Sequence, residues 1–143
     1  MRIYLAGPLF TQAERAWNER IADGLRAAGH EVFLPQAEEP PAPTPTALYE
    51  NNLRGIRNAE VVVAILDGPD PDSGTSWECG YAAGIGTPVV TVRTDFRRAG
   101  DDPAADLNLM LSQSAAANLA APSLEWDVPR TIEAIAAALA GLP

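Results

Sequence analysis

From Asp67 to Tyr81 the chain reads Asp-Gly-Pro-Asp-Pro-Asp-Ser-Gly-Thr-Ser-Trp-Glu-Cys-Gly-Tyr, with an unbroken apolar run, Val61 to Leu66, before it and Ala82-Ala83-Gly84-Ile85-Gly86 after it. The order is strand, acidic loop, helix. A solvated loop accounts for Asp67 and Asp70. It does not readily account for Glu78, which lies between Trp77 and Tyr81 at the mouth of a parallel sheet. A carboxylate near a helix N-terminus is stabilised as the anion by the helix dipole, typically by about 0.3–1 kcal/mol. An ionised carboxylate suits attack on an anomeric carbon, giving a covalent glycosyl ester that an acceptor then opens. Glu78 is therefore the candidate catalytic centre.

A second carboxyl group should handle the leaving group. Asp72, on the loop before Glu78, is the nearest candidate: protonated, it donates to a heterocyclic nitrogen, and ionised, it takes the proton back. Tyr4, inside the first strand, could donate its hydroxyl to Glu78 and orient it. Leu9 and Phe10 could wall a flat base. Each has a plainer alternative. Tyr4 could be a core tyrosine, Phe10 a staple on the first helix, and Asp72, Ser73 or Thr75 a helix cap. Gly74 could be present only for a positive φ. Cys79 reads as a buried helix cysteine rather than a nucleophile, since no histidine is near it in sequence.

The elements that must position these groups follow from periodicity. Arg2 to Ala6 reads as a strand, broken by Gly7-Pro8. Thr11 with Glu14 forms a capping box, and Ala13, Trp17, Ile21, Leu25 and Ala28 recur at helical spacing until Gly29. Glu31 to Leu34 is a second strand closed by Pro35-Gln36. Residues 37–45, rich in Pro, Glu and Ala, read as a mobile loop or lid. A helix over 46–58 places Leu48, Leu53 and Ile56 inward. Thr87 to Val92 is a buried parallel strand. Residues 93–106 are polar and expected to be irregular, Leu107 to Leu111 opens a short helix, and a weak fifth strand falls between Ser112 and Ser123, at Ala117 to Ala120. Val128 to Ala140 closes the chain as a helix with Ile132, Ile135 and Leu139 inward.

Alternating strands and helices imply an α/β fold in one domain over 1–143: a three-layer sandwich around a parallel sheet of about five strands. Ligands of such sheets bind beyond the carboxyl ends of the strands, where strand order reverses. The segments Ala6–Phe10, Pro35-Gln36, Asp67–Asp72 and Arg93–Asp95 fall on that rim.

Composition narrows the classes. The 143 residues carry a formal net charge of −9 and no lysine, a balance that disfavours a nucleic-acid polymer as partner. No apolar run approaches the roughly 20 residues needed to span a bilayer, and the N-terminus shows no signal-peptide pattern. The one cysteine excludes an internal disulfide and fits a cytoplasmic location. His30 has no second histidine or cysteine pair with which to hold a metal. Neither a dinucleotide fingerprint nor a phosphate loop is present, and no cofactor is expected.

Four segments together, Ile3-Tyr-Leu-Ala-Gly-Pro-Leu-Phe10, Phe33-Leu-Pro-Gln36, Asp67 to Ala82 and Asn108-Leu-Met110, resemble the nucleoside 2-deoxyribosyltransferase family, most specifically in Asp-Ser-Gly-Thr-x-x-Glu-x-Gly-Tyr. The resemblance implies a flavodoxin-like fold and exchange of bases on 2′-deoxyribose with retained β configuration, a reaction of nucleotide salvage. By position, Glu78 looks like the nucleophile, Tyr4 the residue that holds it, and Asp72 the carboxylate that contacts and protonates the base. Leu9, Phe10, Gln36 and Gly74 fall on the substrate pocket. Asn108 and Met110 match a segment that a neighbouring subunit contributes, implying a homo-oligomer of at least two chains, with tetramer and hexamer open. The implied partners are small: deoxynucleosides and free bases. Asn52 departs from the pattern, which usually has aspartate there; an amide can donate as well as accept, but it is neither acid nor base. A sister group of deoxynucleoside 5′-monophosphate N-glycosidases carries serine at the position of Asp72. A carboxylate there would repel a phosphate dianion, so transfer is preferred to nucleotide hydrolysis, with slow nucleoside hydrolysis beside it; the third reading is a non-catalytic nucleoside-sensing module on the same fold, which would bind its ligand without consuming it.

Overall fold

A computed structural model of the chain describes residues 1–121 and 124–142. Five strands, β1 (Arg2–Ala6), β2 (Glu31–Phe33), β3 (Val61–Ile65), β4 (Val89–Arg93) and β5 (Ala117–Ala120), form one sheet in the order β2-β1-β3-β4-β5. Every neighbouring pair is parallel. This is the flavodoxin-like order, and the chain reverses its direction of travel across the sheet between β1 and β3. The helices are α1 (Gln12–Ala27), α2 (Pro45–Asn58), α3 (Ser73–Gly84), α4 (Leu109–Ser114) and α5 (Val128–Ala140). Among the described residues no helix is long and apolar enough to cross a membrane.

Strand alternation sorts the core into two layers. Ile3, Leu5, Val61, Val63, Ile65, Val90 and Val92 face α1 and α5. Tyr4, Ala6, Val62, Ala64 and Leu66 face α2, α3 and α4, where Ile56, Cys79, Ala82 and Leu111 meet them. Because both faces are covered, β3 and β4 are buried along their whole length and read as continuous apolar runs.

The capping box at α1 is formed: the Thr11 side chain accepts from the Glu14 amide at 3.2 Å, and Glu14 accepts from the Thr11 amide at 2.7 Å. The buried face of α1 differs from the expected one. Ala13 and Ala28 are exposed, and Asn18 and Ala22 stand in the core beside Ile21 and Leu25. Asn18 is tolerated there because its amide donates to the Pro8 carbonyl at 2.8 Å, which satisfies a buried donor and ties the loop after β1 to α1. Gly7 permits the close approach: a Cβ on it would stand 3.2 Å from both Asn18 and Ile65. Leu34 lies beyond β2, which ends at Phe33. Arg93, expected at the start of an irregular segment, is the last residue of β4 and is 1% exposed. β5 occupies 117–120 as expected, and residues 122–123 of the interval in which it was sought lie outside the described residues.

Candidate active site

Asp72 is the N-cap of α3: its Oδ2 accepts from the Thr75 amide at 2.8 Å and the Thr75 hydroxyl at 3.0 Å. The capping alternative is therefore real, and it engages one oxygen only. Oδ1 has no hydrogen-bond partner within the protein among the described residues. Gly74 sits inside the helix, and the left-handed glycines are Gly29, Gly68 and Gly86 instead. Its role is spatial, since a Cβ there would lie 3.1 Å from the Asp72 carboxylate.

Glu78 lies more than a turn into α3, and its Oε1 accepts a 2.7 Å hydrogen bond from the Tyr4 hydroxyl. Tyr4 comes from the middle of β1 and is fully buried, stacked on Phe33 with centroids 5.4 Å apart and planes 15° from parallel. The ring belongs to the core, and the hydroxyl makes the contact with Glu78 that was expected of it.

The expectation that the helix dipole holds Glu78 ionised fails. Its pKa is raised from 4.5 to about 7, first by burial, with the Tyr4 hydrogen bond opposing and the Asp72 charge adding to the rise. The dipole acts mainly within the first turn, which Glu78 has passed. Burial and the Glu78 charge also push the Tyr4 hydroxyl far up, so Tyr4 remains a donor. Burial raises the Cys79 thiol to about 12, which removes it as a thiolate nucleophile at neutral pH.

Two cavities meet at Glu78, and Asn52 and Gly74 line both. One, of about 270 Å³, gathers Leu9, Phe10, Gln36, Asn52, Asp72, Gly74 and Glu78, with Pro35, Glu39 and Leu48. The sequence reading thus places seven of its site residues around one space. Gln36 is oriented by donating its amide to the Arg15 carbonyl at 2.9 Å, and its buried Oε1 has no partner among the described residues. Phe10 is 75% exposed and no staple on α1; its amide donates to Glu14 at 2.9 Å.

The other cavity, of about 370 Å³, opens between α2 and α3 and is lined by Tyr49, Leu53, Ile56 and Trp77 with the shared residues. Neither Tyr49 nor Trp77 was singled out as a site residue from sequence. Trp77 stacks on Tyr81 at 5.3 Å and 7° and meets Tyr49 at 5.9 Å, while Tyr81 accepts from the Arg57 guanidinium at 2.6 Å. The aromatic pair flanking Glu78 in sequence was the available signal. Among the described residues, neither cavity is lined by a cationic side chain.

Asn108 and Met110 are not part of either cavity. Asn108 is the N-cap of α4, accepting from the Met110 amide at 2.9 Å and donating to Asp101 at 2.8 Å. Met110 is 70% exposed. Asp67 and Asp95 do not line the cleft either and bind each other's loops, as described below. A larger cavity, of about 600 Å³, lies away from Glu78 between α2, β2 and residues 38–41.

A family model described as nucleoside 2-deoxyribosyltransferase matches residues 3–110. Three solved structures are similar along nearly their whole length. A 2-deoxyribosyltransferase from Bacillus psychrosaccharolyticus is 25% identical with a TM-score of 0.70, over 92% of this chain and 96% of that one. A 2-desoxiribosyltransferase from Leishmania mexicana is 24% identical with a TM-score of 0.70, over 99% of each chain. A CMP N-glycosidase from Clostridium botulinum is 14% identical with a TM-score of 0.68, over 96% and 99%. At those identities the last two testify to the fold alone. No curated protein sequence matches the chain.

Proposed function

The chain belongs to the nucleoside 2-deoxyribosyltransferase family, and from that premise we propose that it moves a 2-deoxyribosyl group between nucleobases by double displacement at Glu78. The observation that carries this reading is the 2.7 Å Tyr4–Glu78 hydrogen bond at the junction of two cavities, one of which also holds Asp72.

In the first half-reaction a Glu78 oxygen attacks C1′, the C1′–N bond breaks, and its electron pair goes to the ring nitrogen. The base leaves protonated by the Asp72 carboxyl, which lines the same cavity and commits only one oxygen to the helix cap. In the second half an incoming base attacks C1′, the ester bond returns its electrons to Glu78, and Asp72 takes the displaced proton. Two inversions give net retention. Tyr4 holds Glu78 in its attacking orientation and stabilises its charge. Leu9 and Phe10 wall the base, and Gln36 and Asn52 supply amides to its edge. That no cationic side chain is found among the described residues lining the cleft favours nucleosides over 5′-phosphorylated substrates.

Leu109 and Met110 are 54% and 70% exposed on α4, and the aromatic cavity between α2 and α3 is open. These features support closure of the cleft by Asn108 and Met110 of a second copy, in a homo-oligomer of at least two chains. The single, buried, unpaired cysteine supports a cytoplasmic setting.

The test is a product assay with a deoxynucleoside and a different free base, with and without a 5′-phosphate on the donor. Transfer predicts the new β-deoxynucleoside. Free base and deoxyribose alone, whatever acceptor is offered, would point to an N-glycosidase instead. A 2′-fluorinated nucleoside should leave its glycosyl group on Glu78, detectable by peptide mass spectrometry; a label elsewhere refutes the assignment.

A further inference from the structure

Arg93 is an unusual residue to find at the end of a central strand. It is 1% exposed, and among the described residues no carboxylate stands within ion-pair distance of it. A buried cation is tolerated only where its donors are satisfied. Here four of its five N–H donors meet carbonyl oxygens: Nη1 donates to Leu66, Nη2 to Gly68 at 2.9 Å and to Arg97 at 2.6 Å, and Nε to Arg97 at 3.2 Å. The Leu66 and Gly68 carbonyls belong to the chain just after it leaves β3, where strand pairing has stopped at Ile65 and Val92.

The same junction is gripped in the opposite direction. Asp67 accepts from the Thr94 amide at 2.5 Å, the Thr94 hydroxyl at 2.6 Å and the Asp95 amide at 2.9 Å, while the Gly68 amide donates to Asp95 at 3.2 Å. Residues 66–68 are thus held from both sides by 93–95. Gly68, at φ +114°, turns the chain, and a short run then delivers Asp72 to the head of α3.

We propose that Arg93 and its counterpart Asp67 form a clasp that positions Asp72 against Glu78. Tyr4 fixes one carboxylate of the pair, and the clasp fixes the loop that carries the other. Arg93 lines neither cavity at Glu78; it is a positioning residue acting through the Leu66 and Gly68 carbonyls. A planar fork is needed to hold two carbonyls of one loop at once, which an ammonium on a flexible stem does not reproduce. The inference rests on the acid–base role proposed for Asp72.

The experiment is a double-mutant cycle with Arg93→Met, Asp72→Asn and the combination, each checked for a cooperative melt and assayed for base exchange across pH. Arg93→Met should lower kcat by about tenfold or more with KM altered much less, and add less than about twofold in the Asp72→Asn background, because a residue acting through another is not additive with it. The acid limb of the pH profile should move in the same direction in both single variants. An Arg93→Met penalty of equal size in both backgrounds overturns the clasp and leaves the Asp72 reading standing. An Asp72→Asn enzyme at full rate overturns both. Should Arg93→Met fail to fold, Thr94→Val removes only the hydroxyl bond to Asp67, and the same non-additivity, smaller in size, is required of it.

Discussion

Glu78 and Tyr4 share one proton-sensitive contact, and its two ends can be tested separately. The native Glu78 carboxyl keeps its proton to about pH 7, against 4.5 unperturbed. The folded state therefore binds more protons than the unfolded state across that window, and stability falls as pH rises through it. At about 1.4 kcal/mol per unit, ionised Glu78 costs the fold roughly 3–4 kcal/mol above pH 7. Glu78→Gln should accordingly be inactive yet melt higher than the parent at pH 8, with the gain vanishing towards pH 4. Equal melting temperatures at pH 8 would contradict the burial argument. Tyr4→Phe keeps the ring stacked on Phe33 but deletes the bond that lowers the Glu78 pKa. The acid limb of kcat/KM should move to higher pH, with a loss at pH 7 on the order of tenfold.

At the scale of elements, the contact between α2 and the sheet is close enough to matter for chemistry. Gly55 of α2 lies against β1 and β2: a Cβ on it would come within 2.9 Å of the Phe33 and Tyr4 rings. Gly55→Ala must displace one of them. It should reduce kcat severalfold while a change away from both cavities such as Asp127→Ala, which loses the N-cap of α5 worth about 1 kcal/mol, affects stability alone. Measuring kcat beside the melting temperature for the two variants separates these effects. Much of this was legible in the sequence because β1, β3 and β4 announce themselves by apolar runs and α1 and α3 by their caps, while the short β5 gives only a weak signal. Thr11 and Glu14, or Asp72 at the head of α3, are local signals. Asn18 and Arg93 were not legible, because a polar or charged residue is assigned to solvent unless the partner that satisfies it is known. Those partners, the Pro8 carbonyl and the loop after β3, are distant in sequence or belong to another element.

For the whole molecule, the parallel topology explains why residues from four separate segments meet: residues 4–10, 36, 52 and 72–78 come together at the carboxyl ends of the strands. That convergence could be read from the alternation of strands and helices. The aromatic cavity could not, since Tyr49 and Trp77 face each other only once α2 and α3 are packed. The proposed sharing of Asn108 and Met110 between copies makes a further prediction. Met110→Asp and Glu78→Ala should each be inactive alone, and mixing the two should restore activity, because one subunit keeps its nucleophile and the other supplies an intact α4. Failure to recover any rate from mixtures that demonstrably exchange subunits would exclude the shared site.

Asp72 lines only one of the two cavities, the space of about 270 Å³. A departing ring and an arriving one must then take turns in it. Flooding the enzyme with acceptor should crowd out the donor before any sugar has been loaded, so the initial velocity should climb with added free base, peak and then decline. Raising the donor concentration should push that peak towards higher base.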